Sequence, residues 1–160
     1  MRATALILIS LCLWGNSLTV AETAANAKPV AVIKKTLRHL LDTQGRHTQS
    51  PSLLDRDAYQ AHLREHPEEV TGLRYELQIK YSSRPLAPLT IRVEIRHGKA
   101  ADIQTTTHET KFEPEGRRRS QWARLTIEGE DFQALGDIIA WQVTLWDGDS
   151  KVASDESFLW

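Results

Sequence analysis

The chain is poor in cysteine, with Cys12 alone among 160 residues. A single thiol admits no internal disulfide and no cysteine-based zinc site, because each needs at least two thiols from one chain. Charge of one sign is lacking as well: 20 Lys+Arg stand against 21 Asp+Glu, a formal net charge of −1. Neutrality together with 41% hydrophobic content argues against a disordered tail, an acidic solvating segment and a basic nucleic-acid-binding protein. No apolar run reaches the roughly 20 residues of a membrane span. An outer-membrane barrel needs at least about eight membrane-long strands, more than the sequence offers. Strong catalytic signatures are also missing: there is no Gly-x-Ser-x-Gly, no phosphate-cradling glycine loop and no His-Glu-x-x-His. The expectation is therefore a non-enzymatic protein with no cofactor and no metal.

What is present begins with an address. Arg2 precedes the apolar run ATALILISLCLW at residues 3–14, and small and polar residues then lead to Ala25-Asn26-Ala27. That charged, hydrophobic, small-residue layout over residues 1–27 is a secretory signal peptide and implies a secreted protein, periplasmic or extracellular. Cleavage after Ala21 and cleavage after Ala27 both remain open. Either removes Cys12, so the mature chain carries no thiol into an oxidising compartment and is held together by packing alone. Leu11 stands where a lipidated cysteine is normally preceded by a small residue, which argues against a lipid anchor.

From residue 73 onward the pattern has period two. Leu73, Tyr75, Leu77, Ile79 and Tyr81 alternate with polar residues, the pattern of a half-buried strand. A proline-containing turn at residues 82–88 leads to a second strand on Leu89, Ile91, Val93 and Ile95, broken at His97-Gly98-Lys99. Residues 103–112, threonine-rich and poor in apolar side chains, suit a protected edge strand. Ala123, Leu125 and Ile127 mark a further strand, residues 130–137 a short helical turn, and residues 138–146 the most apolar strand. Asp147-Gly148 then signals a hairpin into residues 151–160. Upstream, Val30, Ile33, Leu37 and Leu40 fit helical spacing while Leu37, His39 and Leu41 fit a strand. Both readings of residues 30–41 stay open, with the strand placed at residues 36–41. Residues 55–66, with Tyr59 and Leu63 four apart and Pro67 closing the run, read as a short helix.

Six or seven short strands separated by turn signals indicate an antiparallel sandwich. Residues 73–160, with Trp141 in their strongest strand, resemble an immunoglobulin-like or fibronectin type III-like β-sandwich. The cysteine pair of antibody domains is absent. The stretches at 57–60, 141–149 and 157–160 are similar to small secreted bacterial proteins of unknown activity. The resemblance implies a fold, a mainly β immunoglobulin-like sandwich preceded by a helix-containing extension at residues 28–72, and no particular function. If Trp146 pairs with Lys151 across the Asp-Gly turn, Leu145 faces Val152, Ile139 faces Phe158 and Ile138 faces Leu159. The same register sets Trp141 against Glu156, so a bulge near residues 154–156 or a rim position for Glu156 is expected.

Candidate sites are few. His62 and His66, four apart with Glu65 and Glu69 nearby, have helical metal-ligand spacing but lack a third ligand, and a solvated helix face is the better reading. Asp147-Gly148-Asp149 lacks the further ligands of a calcium loop. Arg117, Arg118 and Arg119 with Arg124 form a local basic patch, balanced by Glu113 and Glu115, that could meet a phosphate or an acidic glycan. Trp122 falls on the outward parity of its strand. Trp146 falls outward too, beside Arg92, Arg96, Gln142 and Lys151 if those strands are neighbours. Exposed indoles among amide and guanidinium groups suit a flat sugar ring, against the ordinary preference of large rings for burial. The sequence thus points to an unknown protein partner, with a glycan as the alternative, and to neither nucleic acid nor a membrane span.

Overall fold

The computed structural model describes residues 30–82, 88–99, 102–115 and 119–160. The signal peptide expected at residues 1–27, together with Arg117 and Arg118 of the basic patch, lies outside the described residues. The elements run β1 (Ala31–Asp42), α1 (Leu53–Glu65), β2 (Val70–Tyr81), β3 (Leu89–Lys99), β4 (Asp102–Phe112), β5 (Ser120–Glu128), α2 (Gly129–Leu135), β6 (Ile138–Asp147) and β7 (Ser150–Glu156). Two antiparallel sheets result, a three-stranded one ordered β1-β2-β5 and a four-stranded one ordered β4-β3-β6-β7. Strict alternation builds the space between them. Leu73, Tyr75, Leu77 and Ile79 of β2 and Ala123, Leu125 and Ile127 of β5 meet Leu89, Ile91, Val93 and Ile95 of β3 and Val143 and Leu145 of β6 in one apolar cluster. Full burial of each leucine, isoleucine or valine among them stabilises the fold by roughly 1.5–3 kcal/mol before entropy is counted. Trp141 packs at the cluster's margin, edge-on to Tyr75 with ring centroids 5.7 Å apart. No helix among the described residues is long and apolar enough to cross a membrane.

The competing readings of residues 30–41 have a physical origin. β1 is a strand throughout, but its pairing with β2 shifts between Ile33 and Lys35, leaving Lys34 as an extra residue. Ala31 and Ile33 face Tyr81 and Ile79; past the bulge, Thr36, Arg38 and Leu40 face Leu77, Tyr75 and Leu73. A bulge flips the alternation and so leaves a spacing that imitates a helix. Since β1 pairs along nearly the whole of β2, the segment assigned to an N-terminal extension contributes an edge strand to the three-stranded sheet itself.

Two further expectations are corrected. β3 does not break at His97: it continues to Lys99, with His97 buried and Gly98 at φ 111° beside β4, where a Cβ would lie 2.3 Å from the Asp102 carbonyl. The β6–β7 hairpin starts in the expected register, with Trp146 opposite Lys151, but slips immediately afterwards. Leu145 faces Ala153 and Gln142 faces Glu156, so the bulge lies at Val152 rather than near residues 154–156. Strand β7 ends at Glu156, Ser157 still donates its N–H to the Trp141 carbonyl at 2.9 Å, and residues 158–160 turn, with the Trp160 N–H donating to the Ser157 carbonyl at 3.0 Å. Phe158 therefore projects fully into solvent and Leu159 is exposed, so neither faces Ile139 or Ile138.

Candidate functional site

The outward face of the four-stranded sheet gathers most of the residues singled out from sequence. Register sets Thr90 against Trp146, Arg92 against Thr144 and Glu94 against Gln142, while Trp146 stands opposite Lys151 and Gln142 opposite Glu156. Arg92 lies over the Trp146 ring at 4.7 Å from its centroid and donates from Nε to Glu109 of β4. Trp146 in turn donates its indole N–H to Thr144 Oγ1 at 2.9 Å. Lower on the same face, Arg96 lies 4.2 Å from the centroid of the Trp160 ring and donates from Nη1 to the Trp160 carbonyl at 3.2 Å. Gln142 donates to Glu156 at 2.7 Å. Each stack at a partly exposed site is worth about 0.5–1 kcal/mol, enough to favour one rotamer. The helices pack elsewhere, α1 on β1 and α2 on β2 and β5. Beside Trp146 a hollow of about 270 Å³ is lined by Thr90, Arg92, Glu109, Trp146, Gly148 and Asp149.

Trp122 belongs to the other sheet. It is 45% exposed on β5, opposite Gln78, so the two tryptophans cannot form one platform. Arg119 is exposed, and its backbone carbonyl accepts a hydrogen bond from the Tyr81 N–H at 2.8 Å. Arg124, expected in the basic patch, instead donates from Nε to Glu76 Oε1 at 3.0 Å. Near the end of α1, His62 meets Glu69 at 3.0 Å, and His66, just past the helix, meets Glu68 at 3.1 Å, all four at the surface.

Sequence reasoning missed a histidine pair on the outward face of the three-stranded sheet. His39 of β1 is 5% exposed and its ring stacks on His47, with centroids 4.8 Å apart and planes 22° from parallel. Since β1 sets Leu37 against Glu76 and His39 against Arg74, Glu76 is one diagonal step away and its Oε2 lies 3.8 Å from His39 Nδ1. The chain between is bent back by Asp42, whose carboxylate accepts the Gln44 and Arg46 N–H groups at 2.8 and 2.9 Å. From α1, buried Gln60 donates to the carbonyls of both Leu40 and His47 at 2.9 Å. Burial is the main cause that lowers the pKa of both rings, aided at His39 by His47 and then offset by Glu76. No periodicity signals this cluster, because its members meet only through a cross-strand diagonal and a turn.

A third feature is a cleft of about 550 Å³ at the end of the sandwich where α1 and α2 approach, walled by Leu40, Leu63, Phe132 and Ile138 with Arg38 and Arg64 also lining it. No protein-family model and no curated protein matches this chain.

Proposed function

We propose that the protein is a secreted, non-enzymatic binding module of the immunoglobulin-like or fibronectin type III-like class that works by contact with a protein partner, in the periplasm or outside the cell. The strand order supports the class. An immunoglobulin constant-type sandwich keeps its fourth strand beside the fifth, whereas here β4 joins the β3-β6-β7 sheet, the switched-strand arrangement of fibronectin type III domains. The leader pattern of residues 1–27 supports export.

The observation that carries the contact reading is the pair of cation–aromatic stacks, Arg92 on Trp146 and Arg96 on Trp160, fixed in advance on the outward face of the four-stranded sheet. Arg and Trp dominate interface hot spots, and side chains held before binding lose less rotamer freedom on association. A photo-crosslinking residue at position 151, next to Trp146, is expected to trap a discrete partner in native extracts, and Trp146→Ala is expected to abolish the product. The same probe at position 122, on the opposite sheet, serves as the control. Equal products from both positions, or none from 151, would remove the reading.

The hollow beside Trp146 favours a second reading, a carbohydrate-binding module. An indole wall ringed by Thr90, Arg92, Glu109 and Asp149 offers an apolar surface to sugar C–H groups and polar partners to hydroxyls. A glycan array compared with Trp146→Ala distinguishes the readings, since signal that disappears in the variant supports the sugar and silence on every glycan eliminates it.

A further inference from the structure

We propose that His39, His47 and Glu76 form a binding site for one divalent transition-metal cation of the zinc, copper or nickel type, on the outward face of the three-stranded sheet. Their donor atoms all lie within 4.8 Å of one another. Tetrahedral ligands about 2.1 Å from a zinc ion stand roughly 3.4 Å apart, so the existing 3.8 Å between His39 Nδ1 and Glu76 Oε2 needs only a small side-chain adjustment to close. Two imidazoles and one carboxylate are a recognised donor set for these ions, with water completing the coordination.

A second observation points the same way. His39 Nδ1 is buried and has no hydrogen-bond partner, and the residue as a whole is only 5% exposed. An orphaned polar atom in such a position leaves a desolvation cost unmet, and a cation between it and the carboxylate would meet it. Burial lowers the pKa of both rings, in the direction of the neutral form that ligates. Glu76 is oriented from behind: Arg124 takes Oε1 at 3.0 Å and leaves Oε2 toward the histidines, as an outer partner of a ligating carboxylate does.

One group competes for the site. Arg74 Nη1 lies 3.4 Å from His47 Nδ1, and since a guanidinium can only donate, that nitrogen presents its lone pair. Arg74 is otherwise held by two long contacts, 3.3 Å to the Gly45 carbonyl and 3.4 Å to Thr126 Oγ1, so it can withdraw. Its charge, with those of Arg56 and Arg124, opposes the incoming ion, which makes removal of Arg74 a specific probe.

The test is calorimetric titration of the tag-free protein with zinc chloride, repeated with cobalt(II) chloride and read by visible absorption. One ion per chain is expected. Glu76→Gln and His47→Ala, both at positions that are not fully buried, should each weaken binding by about tenfold or more, with the fold confirmed by far-UV circular dichroism. Arg74→Gln should strengthen binding several-fold, and His66→Ala should leave it unchanged. Absence of binding, binding undiminished by the Glu76 and His47 variants, weaker binding in Arg74→Gln, or loss on His66→Ala alone would each overturn the proposal.

Discussion

Replacement of Asp42 by asparagine isolates the junction that brings α1 and His47 back to the sheet. The carboxylate is 4% exposed. Its Oδ1 accepts the Gln44 and Arg46 N–H groups, and its Oδ2 accepts Arg46 Nε at 2.9 Å and the Tyr59 hydroxyl at 2.7 Å. Burial by itself would raise its proton affinity, but the hydrogen bonds from the Arg46 backbone, the Tyr59 hydroxyl, the Gln44 backbone and the Arg46 side chain outweigh it and hold the pKa at about 2 against an ordinary 3.8. At about 1.4 kcal/mol per tenfold change in proton affinity, that difference contributes about 2 kcal/mol to stability at neutral pH. Because the folded-state value lies below the unfolded one, the contribution is complete above about pH 5 and is lost as the pH falls toward 2. Asp42→Asn keeps the shape but turns one acceptor into an amide donor facing Arg46 and Tyr59. Urea denaturation at pH 7 should therefore show the variant less stable by about 2 kcal/mol, and the gap should narrow by a similar amount at pH 2. A gap under about 0.5 kcal/mol at pH 7, or one that stays constant down to pH 2, would refute the assignment of the stabilisation to the ionised carboxylate.

Three other outcomes follow from the packing. Gln60→Ala removes the side chain that serves the Leu40 N–H, the Leu40 carbonyl and the His47 carbonyl; it should cost about 2–4 kcal/mol in urea denaturation and speed hydrogen exchange at the Leu40 amide. Gly98→Ala places a methyl 2.3 Å from the Asp102 carbonyl at φ 111°, and thermal melting should show a loss of more than about 1 kcal/mol. Phe158→Ser, at a fully solvent-exposed position, should change stability by less than about 0.5 kcal/mol, whereas Trp160→Ala, which removes the ring under Arg96, should cost more than Phe158→Ser in the same melts.

The strands that alternate cleanly were legible because a pleated strand with one face buried must alternate. Leu73 through Tyr81, Leu89 through Ile95 and Ala123 through Ile127 are buried at every second position, as their pattern required. The bulges were not legible. Nothing in the side chains of Lys34 or Val152 marks them as extra residues, and each decides which face its neighbours take. Parity also says whether a side chain points outward but not from which sheet, so Trp122 and Trp146 could be recognised as outward-facing without being recognised as lying on opposite faces. The spacing of four that drew attention to His62 and His66 is a local signal. The His39, His47 and Glu76 arrangement is non-local, built by strand register and by the turn at Asp42.

The strand order also sets how the chain reaches this structure. β5 pairs with β2 only across an intervening stretch that contains the whole β3–β4 hairpin, and β1 pairs with β2 around the excursion that carries α1. The β3–β4 and β6–β7 hairpins are local and can form within microseconds, while joining β3 to β6, like joining β2 to β5, must wait for a long closure, since Val93 pairs with Val143 and Tyr75 with Leu125. Such non-local pairing slows folding to the millisecond-to-second range. Each hairpin can thus form before either sheet is complete, and until β2 and β5 meet, the apolar rows of β3 and β6 have nothing to pack against. That interval is when the chain is most prone to self-association, and the threonine-rich, charged edge of β4 is the part of the fold that guards it.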